Sequence, residues 1–363
     1  MKECLMKPSW IAAGVSTLTA LSALLALPGL AQGQDNKSLN LYNARHYSTD
    51  EALFSDFTKA TGIKVNRVNA DDAGIINRLK AEGSSSPADV ILLVDAARLW
   101  RGEVDGLYAP VKSKLLEDAI PEKFRAKATP EGTNWFGFST RARVVVYNKA
   151  NTKREDVDTY EELADAKNKG KLCTRSGSHP YNLSLFGAVQ EHLGAEKTES
   201  WLKGLVANMA RDPKGGDTDQ VKAAASGECA IALTNTYYLA RLMRSTAPED
   251  RAVMEKVGIV FPNQSTWGTH MNIAGGAMAK HAKNREAAMK FLEYLASPAA
   301  QKHFADGNNE WPTAKGVKME NAALQAMLVG NGGDGFKTET IPVSVIGMNQ
   351  VKVQQMLDRV GYK

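Results

Sequence analysis

The stretch that most restricts the fold is AIALTNTYYLARL, Ala230 to Leu242. Ala230-Ile231-Ala232-Leu233 is an uninterrupted apolar run, the mark of a buried strand. Thr234 or Asn235 then offers a helix N-cap, and Leu239 and Leu242 begin an apolar helical stripe. A strand running so directly into a helix belongs to an α/β architecture. Tyr237 and Tyr238 fall in the first helical turn, just beyond the carboxyl end of the strand, where open α/β sheets bind ligands. Free helix N–H groups and the positive end of the macrodipole favour an anionic group there, a phenolate included.

The same setting recurs along the chain. Ser38 to Asn43 alternates as a first strand and is followed by Arg45-His46-Tyr47. Ser48 with Glu51 reads as a capping box for a helix carrying Leu53, Phe54 and Phe57. Gly62 ends that helix, Ile63 to Val68 reads as a strand, and Ala73 to Glu82 as a helix. Val90 to Val94 is apolar throughout, as for a strand covered on both faces of a parallel sheet. This βαβαβ order predicts a doubly wound lobe. Trp135 to Tyr147 is long and β-rich, suited to a crossing between lobes. Residues 156–170 read as a polar helix, and Lys171 to Thr174 as a short strand. Pro180 suits the first position of a helix continued by Leu183, Leu185, Phe186 and Val189, which places Tyr181 in another first turn after a strand.

Further helices are expected over Thr198 to Met209, Thr218 to Ser226, Asn284 to Leu295 and Pro298 to Phe304, with one or two over Val343 to Val360. Val257 to Pro262 reads as a strand returning to the first lobe and continued by Trp267 to Gly276. The expected architecture is two doubly wound α/β lobes joined by a two-strand hinge. Residues 36–135 with 263–312 form one lobe, and 136–262 with 313–363 the other. Tyr47 then reaches the cleft from one side, and Tyr181, Tyr237 and Tyr238 from the other.

The 363 residues suit two domains, and a net charge of +5 is too small to argue for a polyanionic partner. No Lys/Arg block is interleaved with aromatics, so nucleic acid is not expected. Neither G-x-S-x-G nor H-E-x-x-H occurs, and the glycine cluster Gly330 to Gly335 lacks the Lys-Ser/Thr of a phosphate loop, so a catalytic role is not expected. Lys2 and Lys7 precede an apolar stretch from Ile11 to Leu27, and Gly29-Leu30-Ala31 supplies small residues for cleavage: a signal peptide over residues 1–31 and export to the periplasm. Its removal lowers the charge by one and takes Cys4. Cys173 and Cys229 are left, either bonded to each other or buried as free thiols.

Tyrosine suits few metals, because the free phenol ionises only near pH 10. A small trivalent cation is the exception, since its field expels the proton and a hard oxygen anion matches a hard cation. Tyr47, Tyr181, Tyr237 and Tyr238 together point to Fe(III). Four phenolates would leave one net negative charge, which Arg45 and Arg141 are placed to offset. His46 is either a further ligand or a hydrogen-bonding neighbour.

YNARHYSTDEALFSDFTKATGIKV, DVILLVDAARLWR, GFSTRARVVVYNK, the Tyr181 turn and GECAIALTNTYYLARL resemble the periplasmic ferric-iron-binding proteins of bacterial ABC importers, in their tyrosine-rich branch. The resemblance runs from about Leu39 to the C-terminus. It implies a type II periplasmic binding protein closing around one iron held by Tyr47, Tyr181, Tyr237 and Tyr238. His46 would be a ligand as in only some members, and Arg141 and Arg241 would lie near the metal. It further implies an inner-membrane ABC permease as partner, and that Fe(II) is sometimes accommodated. A carbonate or water completing the shell and a monomeric state are left open. The rival reading is a binder of the same fold whose Tyr47, Tyr237, Tyr238, Trp135 and Trp267 cage an organic cation such as a polyamine or thiamine.

Overall fold

The computed structural model describes residues 38–329 and 335–363; the expected signal peptide and most of the Gly330 to Gly335 loop lie outside them. The chain runs β1 (Ser38–Asn43), α1 (Asp50–Thr61), β2 (Lys64–Asn69), α2 (Asp72–Glu82), β3 (Val90–Leu93), α3 (Ala96–Val104), β4 (Tyr108–Ala109), α4 (Lys114–Ala119) and the 13-residue β5 (Phe136–Asn148). There follow β6 (Leu172–Cys173), α5 (Pro180–Leu193), α6 (Ala195–Asn208), α7 (Asp217–Ser226), β7 (Ile231–Asn235), α8 (Thr236–Arg244), α9 (Pro248–Lys256) and β8 (Val257–Val260). The last elements are β9 (Met271–Ala279), α10 (Arg285–Leu295), α11 (Pro298–Asp306), β10 (Trp311–Pro312), α12 (Ala322–Val329) and a single helix α13 (Val343–Val360).

β1 pairs in parallel with β2 and β3, as the alternating pattern requires. The sheet is mixed, however, because β3 also pairs antiparallel with β9. Its apolar run reports burial of both faces, not the direction of the neighbouring strand. Phe136 to Ala142 of β5 pair with β9, and Arg143 to Asn148 pair with β7 and β8. One strand thereby serves two sheet segments. The cores change along it: Phe136 and Phe138 pack with Leu39, Phe57, Ile91 and Phe291, whereas Val145 packs with Phe186, Trp201 and Leu233. Val144 and Val146 face a third cluster with Leu239 and Leu324.

Several local expectations are corrected. The cap of α1 falls on Thr49, without a side-chain capping bond; the Thr49 hydroxyl donates to Asn308, and Glu51 is held by Arg67 of β2. Residues 154–168 form three short 3₁₀ turns in place of a polar helix. The buried amides of Asn168 and Asn208 donate to carbonyls of Asp156, Glu162, Leu163 and Asp165, bonds a helix would have made internally. β8 stays on the second half of β5, and the return strand is β9. Between them Asn263 turns the chain at φ 62°, its side chain accepting from Tyr160 N and donating to Glu161 and Thr266. Cys173 and Cys229 are joined as a disulfide, with Cα atoms 5.9 Å apart.

Candidate functional site

Tyr47 sits in the turn from β1 to α1. Asn43 braces that turn: its amide donates to Arg45 O at 3.1 Å, and its carbonyl accepts from Arg45 N at 3.1 Å. The turn buries Arg45, whose Nε donates to Asp50 Oδ2 at 2.7 Å. The guanidinium carbon lies 4.8 Å from the centroid of the Tyr47 ring. Tyr181 follows Pro180 at the start of α5, where His179 Nδ1 accepts from Tyr181 N at 3.3 Å. Tyr237 and Tyr238 open α8. Asn235 occupies the cap position but gives its side-chain oxygen to Arg143, and Thr236 Oγ1 accepts from Ala142 N, fastening the helix start to β5.

The structure brings these tyrosines together. Tyr181 and Tyr237 hydroxyls are 3.0 Å apart. The Tyr47 and Tyr237 rings meet edge to face at 5.7 Å, and the Tyr237 and Tyr238 rings lie 4.1 Å apart. Tyr47, Tyr181 and Tyr238 line a cleft of about 730 Å³ together with His46, Arg45, Asp72, Arg175 and His179. Tyr237, only 4% exposed, lies beneath its surface. His46 is exposed and stacked on Tyr47 at 4.8 Å. Trp135 and Trp267 are not among the residues lining the cleft. Trp135 is buried in the first core, and Trp267 stacks on Tyr160 and His192.

Arginines surround the cluster. Arg141, 1% exposed, lies 5.8 Å from the Tyr181 ring centre, Arg143 at 5.9 Å and Arg175 at 5.4 Å. Arg141 and Arg143 project on the same side of β5 because they are two residues apart. Among the described residues Nε and NH1 of Arg141 have no hydrogen-bond acceptor, although NH1 lies 3.5 Å from Glu310 Oε1. Arg241 is exposed, 5.4 Å from the Tyr238 ring, and donates to Thr218 at 2.7 Å.

Burial raises the pKa of Tyr47, Tyr181 and Tyr237. Glu310 adds to the rise at Tyr47, Tyr238 at Tyr181, and Tyr181 at Tyr237; Arg141 opposes it at all three. Desolvation lowers the pKa of His46, with Arg45 and Arg141 adding to it against Glu310. Burial, with Arg175 and Arg143, brings His179 down to about 3. Burial disfavours the Arg141 charge, but Glu310 and the tyrosines outweigh it and raise its pKa.

Sequence reasoning missed Glu310, which is fully buried just before β10 and accepts from the Tyr47 hydroxyl at 2.9 Å. It also missed Asp217, the buried partner of Arg143 at 2.6 Å and Arg175 at 3.4 Å. Arg143 could have been found from its alternation with Arg141; Glu310, in the loop NNEWP, carried no pattern. Among the described residues no group of three or more His, Cys, Asp and Glu is arranged to hold a metal.

A model of a family described as bacterial extracellular solute-binding protein matches residues 52–327. Iron uptake protein A1 of Synechocystis is 44% identical over 329 residues, covering 91% of this chain and 88% of its own. A Trichodesmium structure described as IdiA/FutA in complex with iron and citrate ligands superposes with a TM-score of 0.82 at 48% identity, covering 90% of this chain and all of its own. The ferric binding protein of Campylobacter jejuni superposes with the same score at 39% identity and the same coverage.

Proposed function

Because the chain belongs to the bacterial extracellular solute-binding protein family and has the type II periplasmic binding fold of its ferric-binding members, we propose that it captures Fe(III) in the periplasm and delivers it to an inner-membrane ABC permease. The ligands in this reading are the phenolates of Tyr47, Tyr181, Tyr237 and Tyr238. His46 is placed at the mouth of the cleft as a neighbour of Tyr47, Arg45 and Arg141 offset the phenolate charge from beneath, and Arg241 does so from the solvent side. The observation that carries the reading is the convergence of three buried or half-buried tyrosines on a buried Arg141 with unused N–H donors. Neutral phenols give such donors little to bind; phenolates accept them strongly.

This separates iron from the organic-cation rival. A polyamine or thiamine would leave the phenols neutral and set its charge against Arg141, Arg143 and Arg175. A ferric ion creates phenolates, which those arginines stabilise. The lobes divide as residues 36–135 with 263–312 and 136–262 with 313–363; the core changes along β5 a few residues later than this boundary, between Phe138 and Ala142, so that Phe136 and Phe138 pack in the first core. Capture is closure of the lobes onto an ion bound best when both contribute ligands. The protein acts as a monomeric binder without turnover, exported by cleavage near Ala31. Fe(II) is tolerated less well than Fe(III), because it withdraws fewer phenol protons, and a carbonate or water fills any remaining position.

Protein loaded with ferric citrate should show a visible phenolate-to-iron band that bleaches with a strong chelator. The Tyr237→Phe/Tyr238→Phe variant should stay folded and colourless. Full colour in that variant, or a colourless parent that binds no iron, would overturn the assignment.

A further inference from the structure

Glu310 has no exposed surface, yet its carboxylate meets donors from two segments, the turn after β1 and strand β5. Oε1 accepts from the Tyr47 hydroxyl at 2.9 Å and lies 3.5 Å from Arg141 NH1. Oε2 accepts from Ser139 Oγ at 2.7 Å and lies 3.5 Å from Arg45 NH1. The loop that carries it is braced on both sides. Asn308 donates to Asp50 Oδ1 at 2.6 Å, beside the Tyr47 turn. Asn309, held at φ 61°, accepts from Arg244 NH1 at 2.7 Å, and Arg244 is the last residue of α8, whose first turn carries Tyr237 and Tyr238. Glu310 is therefore held at a fixed place against Tyr47 by contacts reaching two of the three elements that supply tyrosines, the turn after β1 and α8.

Resting on the iron reading above, we propose that Glu310 is a positioning residue that aims Tyr47 and competes with the ferric ion for its oxygen, so that it governs how fast iron is released. A phenol donates its proton to Glu310. When the iron–oxygen bond forms, that proton passes to solvent through the cleft and the hydrogen bond to Oε1 is given up. A phenolate and a carboxylate are left facing each other, an arrangement that Arg45 and Arg141 ease but do not remove. Return of a solvent proton to Tyr47 restores the hydrogen bond and frees the metal from one ligand. The hydrogen bond to a charged acceptor thus favours the form in which Tyr47 is off the iron.

The test is the rate at which the visible band of the iron-loaded protein is lost to excess EDTA at fixed pH. Glu310→Gln keeps the shape, removes the charge and offers an N–H to the phenolate. Release should slow on the order of tenfold, the scale of one charge-assisted hydrogen bond. In a Tyr47→Phe background the same change should have no further effect, because the partner it acts through is gone. A purely structural role predicts the opposite, faster release from a loosened site. Unchanged or faster release, or an effect that persists without Tyr47, overturns the proposal. Should Glu310→Gln not fold, Glu310→Asp keeps the charge beside the arginines but withdraws it from Tyr47, and must also slow release. A parent without an iron band sinks the iron reading and this inference together; a coloured parent whose release ignores Glu310 sinks only this inference.

Discussion

The strongest consequence of the tyrosine cluster is a proton count. Burial is the main reason that Tyr47, Tyr181 and Tyr237 hold their protons well above the ordinary phenol range. At neutral pH all three are therefore neutral, and each that ligates iron must release one proton. Binding should release at least three protons, and apparent affinity should rise with pH by about tenfold per unit for each proton, roughly a thousandfold for the three. The perturbation is Tyr181→Phe. It removes one hydroxyl that lies 3.0 Å from Tyr237 Oη, a loss of about 1 kcal/mol that the fold should survive. It should also remove one proton from the count and one decade from the slope. The assay supplies iron as a citrate complex of known protonation to weakly buffered protein containing a pH indicator, and repeats the competition constant at several pH values. An equal release from parent and variant would show that Tyr181 is not a ligand. A parent slope below two decades per pH unit would refute the phenolate site altogether.

Three further outcomes test the frame around the site. Reduction of the Cys173–Cys229 bond, which spans 56 residues, should lower stability by about 4 kcal/mol on the chain-entropy model, measured by urea unfolding with and without reductant. Gly275 of β9 leaves no room for a side chain: a Cβ would stand 2.5 Å from Phe136 O and 2.7 Å from Leu99 Cδ1, so Gly275→Val should cost at least about 3 kcal/mol or abolish folding, scored by thermal melting. His179 titrates only near pH 3 in the folded protein, below the ordinary value of the unfolded chain. Its contribution to stability is therefore complete above about pH 6.5 and is lost as the pH falls from there toward 3, and His179→Gln should flatten that part of the stability profile.

The parts of the site that were legible in the sequence are those whose signal is local. Tyr47 lies in a strand-to-helix turn, Tyr181 and Tyr237 lie in the first turn of a helix that follows a strand, and Pro180 marks one of those helix starts by itself. Local patterns failed where distant side chains captured local groups. Ser48 and Glu51 spell a capping box, but Arg67 of the next strand takes Glu51. Residues 154–168 are polar enough for an exposed helix, yet Asn168 and Asn208 occupy the carbonyls. Glu310 reaches Tyr47 across 263 residues, a distance over which no periodicity carries information.

The long-range charges also bear on the proposed pairing of a trivalent ion with four phenols in this cleft. The charges packed on the tyrosines form two sets. Arg45 and Arg141 face Asp50 and Glu310, and these balance. Arg143 and Arg175 share the single carboxylate of Asp217, which leaves one positive charge beside the Tyr181 ring. His46 and His179, both with lowered pKa, add none at neutral pH. Arg241 is exposed and screened by solvent. The charges packed directly on the tyrosines thus sum to one positive, with Asp72 lining the same cleft outside that count, and a ferric ion with four phenolates brings one negative. Within that count the sum returns to zero for the trivalent ion with all four phenols ionised, and for a divalent ion only when one phenol keeps its proton. A divalent ion with the same ligands would leave one negative charge in a poorly hydrated site, which favours keeping one phenol protonated and weakens the grip. In the proposed site, selection for charge would be built from Asp217 and Glu310 as much as from the tyrosines assigned as ligands.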